Sequence, residues 1–179
     1  MRLGMMVLGL ALAGTAAAAQ EGTMVEGFRF GSIDGGEIRL SDWQGRPVLV
    51  ANTASLCGFT PQLAELQALW ESHGPRGLTV LAVPSDSFRQ ELASDKEVSE
   101  FCTIQYGITM PMATITPVTG EGAHPFFGWL RETAGFEPRW NFNKVLMGAD
   151  GAVLGTWGSG ESPTGPEITA AVEAALAAS

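Results

Sequence analysis

The sequence is poor in the side chains that bind metals and nucleic acids. Its 179 residues include two histidines and two cysteines, and 10 basic side chains stand against 19 acidic ones. His73 and His124 lie 51 positions apart without the spacing of a ligand set, so we expect no metal or haem cofactor. The formal charge of −9 argues against nucleic acid or an anionic membrane surface as a default partner.

The first residues differ in composition from the remainder. Arg2 gives a positive start, LGMMVLGLALAG (3–14) is apolar, and TAAAAQ (15–20) supplies small residues before a polar one. This is the pattern of a signal peptide, and the apolar stretch is short for a membrane span. We therefore predict cleavage after Ala19, a mature chain that begins at Gln20, and export to the periplasm or the medium, where cysteines can be oxidised.

The strands are predicted from apolar runs and turn residues. Short runs on either side of Asp34-Gly35-Gly36 predict an N-terminal β-hairpin. RPVLVANTAS (46–55) and LTVLAVPS (78–85) are nearly continuous apolar runs, as expected of strands that are buried on both faces. NKVLMGADGAVLGTW (143–157) predicts two more strands, joined at Asp150-Gly151.

Start and stop signals delimit three helices. Thr60-Pro61 is an expected N-cap followed by proline in the first helical position, and Gly74-Pro75 ends that helix. SDKE (94–97) is a capping box, and Gly107 ends the helix that it starts. Residues 164–166 (Thr-Gly-Pro) open a last helix.

The order of elements defines the expected fold class. Strand, helix, strand, helix, hairpin and helix follow one another, and no element is predicted between residues 108 and 142. We expect an α/β protein with a mixed central sheet flanked by helices. Without repeats or linkers after the signal peptide, residues 20–179 are predicted to form a single domain.

One cysteine lies where a strand is predicted to turn into a helix. Cys57 follows the first buried strand and precedes the expected helix start at Thr60. Cysteine attacks as the thiolate, and a helix N-terminus offers partial positive charge and free N–H groups to it. Cys57 is therefore a candidate nucleophile, although a lone cysteine in such a turn can equally be structural.

Several further motifs accompany Cys57 along the chain. In order and spacing the chain resembles the glutathione peroxidase family from about Phe28 to Leu176, through NTASLCGFT, FRQE, FCTIQYGITMPM, AHPFF and RWNFNKVL. The resemblance implies a thioredoxin-like fold and reduction of hydrogen peroxide and of organic or lipid hydroperoxides.

The resemblance also implies a set of site residues. The family's reactive residue falls on Cys57, and its partners fall on Gln90, Trp140 and Asn141. Indole and amide N–H groups donate hydrogen bonds without adding a competing charge, so they can stabilise a thiolate and hold a peroxide oxygen. The chain departs from the family before Gln90: the segment is VPSDSFRQE (83–91), arginine replaces a glycine at 89, and one residue is missing.

The second cysteine determines the expected catalytic cycle. Cys102 lies 45 residues after Cys57, and EFCTIQYG (100–107) resembles the segment with the resolving cysteine in the thioredoxin-dependent, cysteine-using branch of the family. Peroxide would convert Cys57 to a sulfenic acid, Cys102 would condense with it, and a thioredoxin-like dithiol protein or glutathione would reduce the disulfide. The alternative for Cys102 is a residue that only packs in its helix.

Other classes of protein match the sequence less well. A thioredoxin-type thiol–disulfide oxidoreductase needs C-x-x-C, whereas residues 57–60 read Cys-Gly-Phe-Thr, and a peroxiredoxin would show threonine in place of Ala54. An exported thioredoxin-like protein with a structural disulfide or an exchange role remains the alternative. Only nine residues separate Leu130 from Trp140, and family members with a longer segment there form tetramers, so we expect a monomer.

Overall fold

The computed structural model describes residues 27–179, so the predicted signal peptide and its cleavage site lie outside the described residues. The regular elements are β1 (Arg29–Gly31), β2 (Glu37–Arg39), β3 (Val48–Thr53), α1 (Gln62–His73), β4 (Thr79–Pro84), α2 (Asp95–Tyr106), α3 (Pro125–Ala134), β5 (Lys144–Met147), β6 (Val153–Trp157) and α4 (Pro166–Ala177). No helix within this range is long and apolar enough to cross a membrane.

The central sheet has four strands in the order β4-β3-β5-β6. β3 and β4 pair in parallel, and β5 pairs antiparallel with both β3 and β6. Every residue of β3 and β4 is buried, as the continuous apolar runs predicted. The mixed α/β sheet expected from the sequence is confirmed.

The predicted N-terminal hairpin forms from β1 and β2 and is tied to the β4 edge by an intervening segment. The N–H of Ala82 donates to the carbonyl of Pro111 (3.0 Å), and the N–H of Ala113 donates to the carbonyl of Ala82 (2.9 Å). On its other side the same segment pairs with the hairpin, where the Thr114 N–H donates to the Gly31 carbonyl (2.8 Å). The two-stranded hairpin is therefore joined to the four-stranded sheet through two isolated bridges of this segment, Ser32 with Ala113 and Ala82 with Met112.

Alternate residues of β3 enter two apolar clusters, one on each face of the sheet. Leu49 and Ala51 join a cluster with buried residues of α1, α2 and α4, whereas Val48 and Val50 join one with α3 and β1. This alternation follows from the two-residue repeat of a strand. Both cysteines belong to the first cluster, so the α1, α2 and α4 face carries the chemistry.

Most predicted helix ends are confirmed, and one cap is wrong. Ser94 accepts a hydrogen bond from the Glu97 N–H (3.3 Å) and so caps α2, and Gly107 ends that helix with a φ of 62°. Thr60 was expected to cap α1, but the helix begins at Gln62 with Pro61 in the cap position. The Thr60 hydroxyl is instead engaged by the turn that precedes it.

Helix α3 was not predicted from the sequence. It lies in the segment with several prolines, where Pro125 occupies the first turn and His124 Nδ1 accepts the Phe126 N–H (3.3 Å). Proline in the first turn costs no hydrogen bond, so a residue that breaks helices elsewhere starts one here. The buried side chains of Phe126, Phe127 and Leu130 hold α3 against the sheet.

Candidate active site

The turn that carries Cys57 connects β3 to α1 and is closed by its own hydrogen bonds. The Cys57 N–H donates to Thr60 Oγ1 (3.0 Å), and the Thr60 hydroxyl lies within hydrogen-bond distance of the Cys57 and Ala54 carbonyls (2.7 and 2.9 Å). Thr60 therefore fixes the turn from behind.

The sulfur of Cys57 accepts a backbone hydrogen bond. The Phe59 N–H lies 3.4 Å from Sγ, and Cys57 is 8% exposed. This N–H belongs to the residues that lead into α1, where backbone donors have no partner within the helix. A donor directed at the sulfur stabilises negative charge on it.

Gln90 is brought to the Cys57 turn by its backbone. The Leu56 N–H donates to the Gln90 carbonyl (2.9 Å), and the Ser55 N–H donates to Oε1 of the adjacent Glu91 (3.0 Å). These two bonds join the loop between β4 and α2 to the residues directly before Cys57. The altered loop thus still places Gln90 beside the Cys57 turn.

The path of this loop depends on a left-handed residue. Arg89 has a φ of 58°, a conformation that glycine adopts without a steric cost. Upstream, Ser87 Oγ accepts the Val118 N–H (3.0 Å) and lies 3.0 Å from Ser85 Oγ. Arg89 therefore has a backbone conformation that favours glycine, the residue that the resemblance implies at this position.

Asn141 contacts Gln90 directly. Its Nδ2 donates to Gln90 Oε1 (3.0 Å), and this bond leaves the Gln90 amide N–H groups free of Asn141. Asn141 is fully buried, and its Oδ1 has no partner within residues 27–179. Two of the predicted partners of Cys57 therefore form one amide pair.

Trp140 lies at the surface beside this pair. It is 41% exposed, and its ring centroid is 5.5 Å from that of Phe88 in the Gln90 loop. Its carbonyl accepts hydrogen bonds from Asn52 Nδ2 (3.0 Å) and Asn143 Nδ2 (2.8 Å). In the described chain no hydrogen bond joins the side chains of Gln90, Trp140 or Asn141 to Sγ, so their direct action on the sulfur stays a prediction.

Asn52 organises the segment that contains Trp140 and Asn141, and sequence reasoning missed it. Its side chain donates to the Trp140 carbonyl and accepts the Asn143 N–H (3.0 Å), while its carbonyl accepts the Phe142 N–H (2.6 Å). Phe142 is buried with a φ of 61°, which is rare for a bulky residue. Such a strained residue persists where its surroundings fix it, and Asn52 supplies that constraint.

Lys144 is a buried cation behind the same segment. Its Nζ donates to Gln62 Oε1, at the start of α1, and to the Glu161 carbonyl. Burial lowers the pKa of Lys144 to about 8, although the negative charges of Glu65 and Glu161 raise this pKa in part. The residue links β5 to the first turn of α1 and so ties the two halves of the site together.

Cys102 lies on α2 in the same core cluster as Cys57, and both cysteines are free thiols. It is 3% exposed. Burial, and secondarily the charge of Glu91, raises the pKa of Cys102 to about 12. This thiol is therefore neutral in the folded protein at physiological pH.

A cavity of about 490 Å³ opens beside Trp140, and the residues that line it include Arg131, Phe136, Glu137, Arg139 and Asn143. No cluster of His, Cys, Asp or Glu suited to a metal occurs in the part of the chain that the structure describes. The donors at the site are amide, indole and backbone N–H groups.

The fold and the site together define a thioredoxin-like protein with a cysteine in the turn that precedes a helix. Among solved structures, the chain is similar to Trgpx in apo form (TM-score 0.68, 30% identity, 87% of this chain and 97% of that chain). A thioredoxin family thiol:disulfide interchange protein from Chlorobium tepidum shares the fold at 17% identity (TM-score 0.60, 83% and 92% of the two chains). The expected thioredoxin-like fold is confirmed.

Sequence comparison identifies the family. The glutathione peroxidase profile matches residues 25–131. The hydroperoxy fatty acid reductase gpx1 of Synechocystis sp. is 38% identical over 88% of this chain and 99% of its own length. Glutathione peroxidase 7 of Homo sapiens is 42% identical, with 88% of this chain and 86% of that protein covered. The chain belongs to the glutathione peroxidase family and is a peroxidase.

Proposed function

We propose that this protein is a thiol peroxidase that reduces hydrogen peroxide and organic or lipid hydroperoxides through Cys57. The Cys57 thiolate attacks the peroxide, the O–O bond breaks, and water or an alcohol leaves as the sulfur becomes a sulfenic acid. The sulfur is oxidised and the peroxide is reduced. The hydrogen bond from the Phe59 N–H to Sγ is the observation that carries this assignment, because it identifies Cys57 as the sulfur with a charge-stabilising donor.

The amide pair supports the assignment of the remaining site residues. Because Asn141 occupies Oε1 of Gln90, the N–H groups of Gln90 are available to the sulfur or to a peroxide oxygen. Trp140 is exposed next to the pair, so its indole N–H can serve the same end. We propose that Gln90, Trp140 and Asn141 hold the departing oxygen as its negative charge develops.

Cys102 is proposed as the resolving cysteine. It is a free thiol in the same apolar cluster as Cys57, but it sits within a continuous helix. A disulfide requires the two Cα atoms to lie within ~7 Å of each other. If α2 holds the Cα atom of Cys102 farther than this from that of Cys57, we expect the helix to unwind partly before the disulfide forms. Cys102 lies near the C-terminal end of α2, since its carbonyl accepts the N–H of the capping Gly107.

The surface around Cys57 favours organic over purely inorganic peroxides. Leu56 is 61% exposed and directly precedes Cys57 in the chain, and Phe59 and Trp140 are also exposed, so the Cys57 turn presents apolar side chains at the surface. The name of the Synechocystis relative, a hydroperoxy fatty acid reductase, supports the same substrate class here.

Export and the reductant belong to the same proposal. A signal peptide over residues 1–19 would place a monomeric domain, residues 20–179, in the periplasm or the medium. Glutathione is not assured there, so we propose a thioredoxin-like dithiol protein as the reductant, with glutathione as the alternative. Steady-state assays with each reductant distinguish the two.

The assignment of Cys57 is tested by its replacement with serine. A neutral hydroxyl lacks the nucleophilicity of a thiolate, so Cys57→Ser should abolish peroxide reduction in a stopped-flow assay. Circular dichroism must show that the variant is folded. Activity within a few-fold of the parent would refute the assignment.

A further inference from the structure

Ser159 lies in the loop between β6 and α4 and contacts the segment that contains Trp140 and Asn141. Its hydroxyl donates a hydrogen bond to the Asn141 carbonyl (2.6 Å), and Asn143 Nδ2 donates to the same hydroxyl oxygen (3.1 Å). Asn143 Nδ2 also donates to the Trp140 carbonyl (2.8 Å). Ser159 is therefore bonded to Asn141 itself and, through Asn143, is joined to Trp140.

The backbone of Ser159 is held by the first residue of α1. Gln62 Nε2 donates to the Ser159 carbonyl (2.7 Å), and Gln62 Oε1 accepts a hydrogen bond from Lys144 Nζ. Gln62 and Lys144 are both buried. Because the oxygen and the nitrogen of the Gln62 amide each have a partner, the orientation of this amide is fixed.

A continuous set of hydrogen bonds joins the sulfur to Asn141 through Ser159. Phe59 donates its N–H to Cys57 Sγ (3.4 Å), and its carbonyl accepts the Gln62 N–H (2.9 Å). Gln62 then holds the Ser159 carbonyl, and the Ser159 hydroxyl holds the Asn141 carbonyl. The loop between β6 and α4 thus connects the residues that carry the sulfur to the amide that contacts Gln90.

The contacts of Ser159 differ from those of Asn52, the other residue that organises this segment. Asn52 is hydrogen-bonded to Trp140 and Phe142, the two neighbours of Asn141. Phe142 has a left-handed backbone, and such a residue persists only where its surroundings fix it. Ser159 supplies a hydrogen bond to Asn141 itself, directly before the strained residue.

We propose that Ser159 is a positioning residue for the reaction with peroxide. By holding the Asn141 carbonyl, Ser159 fixes the Asn141 amide against Gln90, and so fixes the donors that hold the departing oxygen. Ser159 does not touch the reacting atoms and acts through Asn141. The inference rests on the proposed role of Asn141 in the peroxide step.

Replacement of Ser159 by alanine removes the hydroxyl and leaves the backbone in place. Ser72→Ala is the matched control, because the Ser72 hydroxyl also donates to a backbone carbonyl (Ala68, 2.7 Å) but lies at the end of α1 away from Cys57. Each reduced protein is mixed with hydrogen peroxide, and stopped-flow measurement gives the second-order rate constant of Cys57 oxidation. Circular dichroism and urea unfolding show whether each variant is folded.

We expect Ser159→Ala to lower the rate constant of Cys57 oxidation by roughly fivefold, because a small misplacement of a site donor slows the reaction. Ser72→Ala should match the parent. A parent-like rate constant in folded Ser159→Ala would overturn the inference.

Alkylation of Cys57 by iodoacetamide separates positioning from a general disturbance of the turn. The Phe59 N–H still donates to the sulfur in Ser159→Ala, and Thr60 still closes the turn, so the alkylation rate should be unchanged. Alkylation that slows as much as oxidation would show a disturbed Cys57 turn and would contradict a role through Asn141.

A double-mutant cycle tests whether Ser159 acts through Asn141. Once the Asn141 amide is absent, its position no longer matters, so the double variant Ser159→Ala/Asn141→Ala should react at the rate of Asn141→Ala. A further loss of the size seen in Ser159→Ala alone would overturn the inference. A parent-like rate in Asn141→Ala would instead refute the proposed role of Asn141.

Discussion

Asn141 Nδ2 donates a 3.0 Å hydrogen bond to Gln90 Oε1, across 51 residues of sequence. The bond joins the loop before α2 to the segment before β5. Because the Gln90 carbonyl also holds the Leu56 N–H, the amide pair is connected directly to the Cys57 turn. The Leu56–Gln90 hydrogen bond thus ties the position of the amide pair to the turn that carries the nucleophile.

Loss of the Trp140 indole N–H or of the Asn141 amide should slow the reaction of Cys57 with peroxide. We expect Trp140→Phe and Asn141→Ala each to lower the second-order rate constant of Cys57 oxidation by roughly tenfold or more, the scale of a lost charge-stabilising donor. Trp70→Phe, at the other end of α1 from Cys57, serves as the control and should leave the rate unchanged. Unchanged rates in folded Trp140 and Asn141 variants would reduce both residues to structural roles.

Asn52 should support both stability and activity. Asn52→Ala removes the hydrogen bonds to the Trp140 carbonyl and from the Asn143 N–H, at a cost of about 1–3 kcal/mol in the free energy of unfolding. The released segment should also misplace Asn141, so peroxide reduction should fall. Urea unfolding and stopped-flow oxidation measure the two effects, and parent-like values in both would show that Asn52 does not hold the segment.

The left-handed backbone at position 89 should accommodate glycine better than it accommodates the arginine of the parent. A residue other than glycine in the left-handed conformation destabilises the folded state by roughly 1–2 kcal/mol. Replacing it by glycine removes this cost, but the greater freedom of glycine in the unfolded chain cancels part of the gain. We therefore expect Arg89→Gly to raise the free energy of unfolding by about 0.5–1 kcal/mol with activity retained. As a control, Arg131→Gly within α3 should lower the free energy of unfolding by about 1 kcal/mol, because glycine is unfavourable inside a helix. Destabilisation by Arg89→Gly would show that the arginine side chain makes a compensating contact.

The two thiols should differ in reactivity. With a pKa raised to about 12, Cys102 is ionised at pH 8 in about one molecule in 10⁴. Iodoacetamide should therefore label Cys57 in the folded, reduced protein and label Cys102 only after denaturation. Peptide mapping after timed quenching measures both rates, and equal labelling of the native thiols would contradict the protected state of Cys102.

The sequence predicted the strands and most helix ends because those features depend on local patterns. The β3 run and the SDKE box need no tertiary information, and both are confirmed. Helix α3 was missed because prolines hid its start, and Thr60 was misassigned because its hydroxyl closes the preceding turn. Local patterns cannot show which of two geometries a proline or threonine adopts.

The candidate site was predicted only in part for a related reason. Cys57, Gln90, Trp140 and Asn141 follow from motifs, but Asn52 and Glu91 act through contacts between segments that are distant in the chain. The sequence around an asparagine at the end of an apolar run does not indicate which distant residues its side chain will hydrogen-bond. The left-handed Arg89 was visible only as an arginine at a position where the family has glycine.

Non-reducing mass mapping of the peroxide-treated protein tests the two-cysteine cycle most directly. After one equivalent of peroxide, we expect a Cys57–Cys102 peptide link in the parent. In Cys102→Ser we expect one reaction at Cys57, loss of dithiol-driven turnover, and oxidation of Cys57 to sulfinic and sulfonic acid in excess peroxide. Full dithiol-driven turnover in Cys102→Ser, with no such link in the oxidised parent, would contradict the cycle and leave Cys102 as a packing residue of α2.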